Sequence, residues 1–304
     1  MSFNPHDYRD LHPPKQINKA ESHYNMIETI YIVRHAPLQA LATVPHLKRR
    51  AVAPLHKAEQ LATTDHASQF RSNWDVNPQT GVYTASTRTP TGIPTDPALA
   101  AHGVEQAKEL AEYLCTIDPP IDRIYSSPFY RCLQTLKPTT ERLFKEGRGG
   151  RKIRIDRGVG EYFGRADFEH PTPPDLNILN QHFHDLDQDY VSVHIPTATG
   201  EWLKELHERV NRALTGIVTD LDNDPEQPKT VLICTHAATM IAAGRALTGK
   251  VPADLNEDDF QCYTASLSKY ERSSIEPEKG VAGNWDCVIN SETSYLSCGA
   301  ERGW

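Results

Sequence analysis

The sequence lacks paired cysteines and long apolar segments, and each lack excludes a class of protein. The chain has 6 cysteines in 304 residues, at wide and irregular spacings without a C-x-x-C pair. We therefore expect reduced thiols in an intracellular protein, nuclear or cytoplasmic, and neither a disulfide framework nor a zinc site. No apolar run approaches the roughly 20 residues of a membrane helix, so no membrane partner is expected. The polar N-terminus has no apolar region typical of a secretory signal.

The composition is that of an ordinary globular protein with an acidic balance. Hydrophobic residues make up 38% of the chain, and the formal net charge is −8. This charge argues against direct nucleic-acid binding by the domain itself. Residues 1–27 are polar and predict a disordered lead-in, while residues 28–304 are long enough for one large domain with a sizeable core.

Apolar, β-branched runs alternate with amphipathic helical patterns along the chain. Strands are predicted at residues 26–35, 121–125 and 153–155, at the run ending in Thr235, and in two later runs after residue 260. The alternation predicts an α/β fold with a mainly parallel central sheet and helices on both faces. The Asp- and Pro-rich residues 165–200 predict an inserted cap, and residues 70–97 predict a long loop that shapes access to a site.

Polar side chains directly follow each of the earlier predicted strands. These side chains are Arg34, His35, Ser126, Ser127, Arg131, Glu161, Thr235 and His236. The carboxyl ends of parallel strands meet at one edge of a sheet, so we expect these groups to lie together. Arginine forks suit phosphoryl oxygens, histidine can attack phosphorus, and a glutamic acid can protonate a leaving oxygen. Each residue alone is common in structural roles, and only the joint placement predicts phosphoryl chemistry.

Five segments carry a family resemblance in addition to this pattern. They are IYIVRH, TDPALAAHGVEQAKEL, SSPFYRCLQT, GVGEYFG and VLICTHAATMIAAGRALTG. In this order they resemble the histidine phosphatase superfamily, which includes the phosphoglycerate mutases. The resemblance implies that His35 is a transiently phosphorylated nucleophile and that Glu161 is the proton donor. It further implies that Arg34, Arg131 and His236 bind the phosphoryl group, with no metal or organic cofactor.

A narrower resemblance rests on FRSNWDVNPQTG, SLSKYE and the final TSYLSCGAERGW. These segments are similar to the fungal phosphatase-like subunits of the transcription factor TFIIIC, of the tau 55-kDa type, and their stand-alone relatives. Two functions follow as alternatives. One is a metal-independent phosphomonoesterase acting on a phosphoprotein or a small phosphoester. The other is a catalytically weak or silent module of an RNA polymerase III assembly, with TFIIIC-type subunits as partners; a phosphoglycerate mutase is less favoured.

The sequence departs from the family pattern at one motif. The family reads Arg-His-Gly and continues into an aromatic residue followed by Arg-Ser-Asn-Trp, whereas this chain has Ala36 and an insert at residues 37–69. Arg71 matches a third phosphate-binding arginine beyond the insert. A glycine allows positive φ or close backbone approach, which the Cβ of Ala36 could obstruct. The insert is open to several interpretations: a solvated basic face, a nuclear import signal at Lys48–Arg50, or translated intron sequence in a gene model. His46, His56 and His66 recur in it every ten residues, which is not a usual spacing for metal ligands.

Overall fold

Six strands form the central sheet of the protein, which a computed structural model describes over residues 26–38, 74–276 and 280–301. The strands in chain order are β1 (Thr29–Arg34), β2 (Trp74–Val76), β3 (Tyr83–Ala85), β4 (Arg123–Ser126), β5 (Ile153–Ile155), β6 (Thr230–Thr235), β7 (Leu267–Arg272) and β8 (Trp285–Glu292). The sheet order is β5-β4-β6-β1-β7-β8, and β2 pairs with β3 in a separate hairpin. The first four strands of this order run parallel, while β7 runs antiparallel to both of its neighbours, β1 and β8. The prediction of a mainly parallel sheet is confirmed.

Helices cover both faces of the sheet, as the alternating pattern predicts. They are α1 (Ala101–Leu114), α2 (Tyr130–Lys145), α3 (Leu176–Leu179), α4 (Leu203–Asp222) and α5 (Ala237–Thr248). α5 ends at Gly249, whose φ of 67° is the left-handed conformation that glycine adopts at helix ends. Within the described ranges, no helix combines the length and apolar character needed to cross a membrane.

Strand β1 forms the centre of the core because both of its faces are buried. Ile30 and Ile32 pack in the apolar cluster that contains α4 and α5, and Tyr31 and Val33 pack in the cluster that contains α1 and α2. Successive strand side chains point to opposite faces, so a strand covered on both faces must be apolar throughout. The run TIYIVR meets this requirement, with Arg34 at its end.

Several predicted segments have different boundaries or surroundings in the structure. The predicted strand 26–35 shortens to β1, because its pairing with β6 begins at Thr29 and ends at Arg34. Residues 165–200 are largely irregular, but Leu179, Phe183 and Leu186 of this segment are buried in the core, so it is more than a surface cap. The long loop 70–97 contains the β2–β3 hairpin. All six cysteines are free thiols.

Other predictions concern residues outside the described ranges. Most of the lead-in 1–27, insert residues 39–69, Arg71 and the final Trp304 all lie there. The phosphate-binding role of Arg71 and the nature of the insert therefore stay predictions.

Replacing Leu232 with alanine tests the two-faced core. Leu232 lies on β6 with no exposed surface, so L232A should lower the free energy of unfolding by about 2–5 kcal/mol through lost burial and a cavity. The measurement is urea denaturation followed by circular dichroism. V288A on the edge strand β8, where the side chain is 48% exposed, serves as the control and should change this free energy by less than about 0.5 kcal/mol. Equal losses in the two variants would contradict this description of the core.

Candidate active site

The pairing of β1 with β6 brings the two candidate histidines together. Arg34 pairs with Thr235 at the ends of these parallel strands, so His35 and His236 follow at equivalent positions. Their ring centroids lie 5.2 Å apart with an interplanar angle of 66°. Both side chains are buried, His236 completely. The structure therefore places both residues at the carboxyl edge of the sheet.

The backbone fixes the orientation of His35. Its Nδ1 lies 2.8 Å from the carbonyl oxygen of Ala36. A carbonyl only accepts hydrogen bonds, so Nδ1 carries the proton and Nε2 keeps its lone pair. Burial, followed by the positive charge of Arg131, holds the pKa of His35 well below its usual range. The imidazole is thus neutral and nucleophilic at neutral pH.

Arg131 is the centre of the charged network at this edge. One guanidinium nitrogen donates to Glu161 Oε2 at 3.0 Å and lies 3.4 Å from His236 Nδ1. The other donates to the carbonyl oxygen of Thr95 at 2.9 Å and to Asp96 Oδ1 at 3.4 Å. The guanidinium also lies 4.4 Å from the centroid of the Phe129 ring. These contacts fix a buried cation beside both histidines.

Glu161 and His236 form a close pair, and each shifts the pKa of the other. Glu161 Oε2 lies 3.1 Å from His236 Nδ1. Burial alone raises the pKa of Glu161, but His236 and Arg131 outweigh it and hold this pKa well below its usual range. Burial likewise opposes protonation of His236, yet Cys132 and Glu161 raise its pKa overall. Glu161 is therefore ionised in the substrate-free site.

Arg34 and Ser127 complete the group of predicted residues. Arg34 is buried at the end of β1, where its Nη1 donates to the Cys262 carbonyl at 2.6 Å, and its charge contributes to the low pKa of His35. Ser127 Oγ lies 2.7 Å from His236 Nε2. Ser126 instead donates to the backbone carbonyl of Ser127, and Thr235 donates to the carbonyl of Val159. Both of these hydroxyls therefore support the backbone.

Ala36 fits its position in place of the family's glycine. It does not adopt positive φ, and its side chain is fully buried in a small apolar cluster with Leu99, Ala107, Ala265 and Leu296. Its backbone N–H donates to Thr135 Oγ1 at 3.0 Å. The methyl group is therefore accommodated by packing.

The sequence did not identify three further contributors. Asp96 is fully buried and accepts hydrogen bonds from Arg131, from the backbone of Tyr130 and from Thr91. Cys132 Sγ lies 3.6 Å from His236 Nε2. Asp96 belongs to the TDPALAAHG segment that carries the resemblance, so a signal for it existed. Cys132 likewise belongs to the SSPFYRCLQT segment, one residue after Arg131.

The third contributor is an aromatic wall, formed by Trp74, Tyr83, Phe129, Phe163 and His170. Phe129 contacts His236 edge-on at 5.4 Å between centroids and lies 6.0 Å from Phe163. The Phe163 ring stacks on His170 at 5.0 Å, and the Tyr83 hydroxyl donates to His170 Nδ1 at 2.6 Å. The wall thus extends from the buried histidine to the β2–β3 hairpin. Trp74 and Tyr83 lie on the β2–β3 hairpin, within the segment predicted to shape access to the site, and the other members come from separate loops. No sequence spacing links all five.

The donor atoms of His35, Glu161 and His236 lie within 4.8 Å of one another, a spacing that a metal ion could also use. Two buried guanidinium groups, of Arg34 and Arg131, stand beside these donors. Positive charge at this distance opposes a cation and favours an anion with several oxygens. The arrangement suits a phosphoryl group better than a metal.

A parallel-sheet edge with two histidines, buried arginines and a carboxylate defines a class of phosphoryl-binding α/β proteins. The chain matches the histidine phosphatase superfamily (branch 1) over residues 81–281. It therefore belongs to that superfamily, and the resemblance stated from the motifs is confirmed.

Two proteins of known name are similar in sequence to this chain. The transcription factor tau 55 kDa subunit of Saccharomyces cerevisiae is 31% identical over 256 residues, which cover 77% of this chain and 56% of that protein. The ecdysteroid-phosphate phosphatase of Drosophila melanogaster is 30% identical over 199 residues, 66% of this chain and 25% of that protein. The chain thus spans little more than half of the first relative's length and a quarter of the second's.

A solved structure shares the fold. The ecdysone phosphate phosphatase from Bombix mori, in complex with tungstate, has a TM-score of 0.58 and 17% identity. The similarity covers 90% of this chain and 97% of that one. At this identity the likeness concerns the fold.

A titration of the histidine rings tests the electrostatics of the site. At pH 6.5, where an ordinary imidazole is about half protonated, His35 should remain neutral with its proton on Nδ1. Nitrogen-15 chemical shifts of the ring report both the charge and the tautomer. R131M should raise the pKa of His35, because it removes a positive charge that opposes protonation. A midpoint at or above pH 6.5 in the unaltered protein, or a proton on Nε2, would contradict the geometry described.

Proposed function

We propose that the protein is a metal-independent phosphomonoesterase that acts through a phosphohistidine on His35. The observation that carries the proposal is the fixed Nδ1–H to Ala36 carbonyl contact, which leaves a neutral Nε2 lone pair beside two buried guanidinium groups. Arg34, Arg131 and His236 hold the phosphoryl oxygens, and Arg71 is proposed to join them. Glu161 is the proton donor.

The proposed reaction has two steps. In the first, His35 Nε2 forms a bond to phosphorus while the ester P–O bond breaks, and the leaving oxygen takes the Glu161 proton. In the second, water attacks the phosphohistidine, Glu161 takes a proton from that water, and the N–P bond breaks to release phosphate. Both steps balance without an added reactant, and the carboxyl group returns to its starting state.

The charge of Glu161 changes when substrate binds. In the substrate-free site, Arg131 and His236 keep this carboxylate ionised. A phosphate dianion that binds the same two groups draws them away from Glu161 and adds negative charge next to it. Both effects raise the pKa of the carboxyl group. Glu161 then takes up a proton from solvent as the substrate binds, and this proton goes to the leaving oxygen in the first step.

The aromatic wall bears on the substrate class. It begins at Phe129 against His236 and continues through Phe163 to Tyr83. Flat or apolar leaving groups pack well against such rings. A phosphoprotein or a small phosphoester with an aromatic or apolar alcohol fits this surface, and one relative is named for a steroid phosphate.

A second candidate function is a catalytically weak or silent module of a transcription assembly. It is favoured by the match to the tau 55 kDa subunit over 77% of this chain. On this reading the partners are TFIIIC-type subunits and the protein works in the nucleus. Co-purification of tagged protein with RNA polymerase III factors tests it, and a catalytically active protein found without such partners would argue against it.

The primary test compares hydrolysis of p-nitrophenyl phosphate by the unaltered protein and by H35A. Loss of the nucleophile should lower kcat/KM by on the order of 10³-fold or more. Brief exposure to labelled substrate, followed by quenching in alkali, should trap an acid-labile, alkali-stable phosphoryl adduct in the unaltered protein alone. H184A, which alters an exposed histidine, is the matched control and should retain full activity. Equal rates for the unaltered protein and H35A would reject the enzyme and leave the silent module.

The role of Glu161 is tested by the dependence on the leaving group. E161Q keeps the shape of the side chain but has no acidic proton, so poor leaving groups should suffer most. We expect a loss of roughly 10²–10⁴-fold on an alkyl phosphate and a smaller loss on p-nitrophenyl phosphate, whose alcohol leaves with little protonation. Plots of log kcat/KM against leaving-group pKa measure this difference. Parallel plots for the two proteins would exclude Glu161 as the general acid.

A further inference from the structure

A second group of potential metal ligands lies outside the active site, where the end of the described chain meets α1. His102 of α1 and Cys298 and Glu301 of the C-terminal segment bring their donor atoms within 4.8 Å of one another. His102 Nε2 lies 2.9 Å from Glu301 Oε2. The His102 and Glu301 side chains are 44% and 31% exposed, and Cys298 is exposed, so an ion from solvent can reach all three.

A fully buried glutamine points into this group. The Nε2 of Gln106 lies 3.2 Å from His102 Nε2 and 3.3 Å from Glu301 Oε2. Its Oε1 has no hydrogen-bond partner within the described part of the chain. The two amide atoms are interchangeable by a rotation of 180°. After that rotation, the oxygen faces His102 and Glu301 and could serve as a further metal ligand.

No single hydrogen-bond arrangement accounts for all the polar contacts among His102, Gln106 and Glu301. His102 Nε2 can accept from Gln106 or donate to Glu301, but one neutral tautomer cannot do both. The rotated amide would in turn place two acceptor oxygens against each other. A cation at the centre satisfies the imidazole nitrogen, the carboxylate and the amide oxygen at once.

We propose that His102, Cys298 and Glu301 bind one Zn²⁺ ion, with Gln106 Oε1 or a water molecule as the fourth ligand. Nitrogen, sulfur and carboxylate oxygen are the donors that zinc takes in proteins, and four-coordination is its common geometry. Zinc–ligand bonds of 2.0–2.3 Å place the ligand atoms about 3.3–3.6 Å apart in a tetrahedron. Small side-chain rotations reach this spacing. The Cys298 thiol loses its proton to solvent on binding, and no electron transfer is involved.

No sequence motif predicts this site. His102 precedes Glu301 by 199 residues, so the set has no zinc-type spacing, and we expected reduced thiols without a zinc site. The fold brings them together because the C-terminal segment packs on α1. Tyr295 stacks on Tyr113 of that helix at 4.5 Å between centroids.

Zinc at this position would fix the C-terminal segment close to the active-site edge. The Glu301 carbonyl accepts hydrogen bonds from the backbone N–H and the hydroxyl of Thr264. Leu296 of the same segment is buried beside Ala36 and Ala265. The ion would therefore join α1 to the C-terminal segment, which packs against Ala36 through Leu296.

Cobalt(II) binding to the 304-residue chain tests the proposal. Co²⁺ should bind at one equivalent per chain, give a near-ultraviolet thiolate-to-cobalt band, and be displaced by Zn²⁺. C298S should abolish the band. H102A and E301Q should weaken Co²⁺ binding by more than the roughly 10–100-fold typical of losing an outer-shell partner. E105Q, an exposed change on the same helix, is the matched control and should bind Co²⁺ normally.

Two further measurements separate this site from other histidines and thiols. The band should persist in H35A, because the active-site histidines take no part in it. Hydrogen exchange should slow in residues 293–301 on addition of Zn²⁺ to the unaltered protein, and should not slow in C298S. A band that survives in C298S, or none in the correctly folded unaltered protein, would overturn the proposal.

Discussion

The active-site edge depends on the register between two fully buried parallel strands. β1 and β6 pair residue by residue, from Thr29 with Thr230 to Arg34 with Thr235. A slip of one residue would separate the following histidines by about 3.3 Å along the sheet and turn alternate side chains to the wrong face. Because β1 buries different residues against the two helical layers, such a slip would also disrupt both parts of the core. Stability and site geometry are thus set by the same pairing.

The second requirement is that charges buried at this edge be paired. Arg131 lies between Asp96 and Glu161, with almost no exposed surface. Burial raises the pKa of Asp96, which Arg131 and the backbone of Tyr130 oppose. An isolated buried cation would be costly, so these carboxylates stabilise the guanidinium before any substrate arrives. A phosphoryl group that meets this preformed guanidinium can displace Glu161 while Asp96 stays in place, and the arginine does not have to be reoriented.

The sequence predicted features that follow from periodicity and missed those that follow from loop paths. Alternating apolar runs located the strands, and sheet geometry then brought His35 and His236 to one edge. Glu161 was also predicted, but its position depends on a helical turn in which Arg209 donates to the carbonyls of Gly158 and Gly160. A strand pattern does not predict this contact. Asp96 and the Phe129, Phe163 and His170 members of the aromatic wall lie outside the strands, on segments whose courses are fixed by tertiary packing. Such contacts between distant residues leave no regular spacing in a single sequence.

The alanine after His35 illustrates how a departure from a motif can leave its chemistry intact. What His35 requires of the next residue is a carbonyl oxygen at hydrogen-bond distance, and Ala36 supplies it at 2.8 Å. Glycine would be needed for positive φ or for space, but Ala36 adopts neither a positive φ nor an exposed position. Its methyl group instead packs against Leu99 and Leu296. At this position the packing around the Ala36 methyl group, and not the conformational freedom of a glycine, fixes the backbone. The C-terminal segment that contributes Leu296 therefore helps to hold the proposed nucleophile in place.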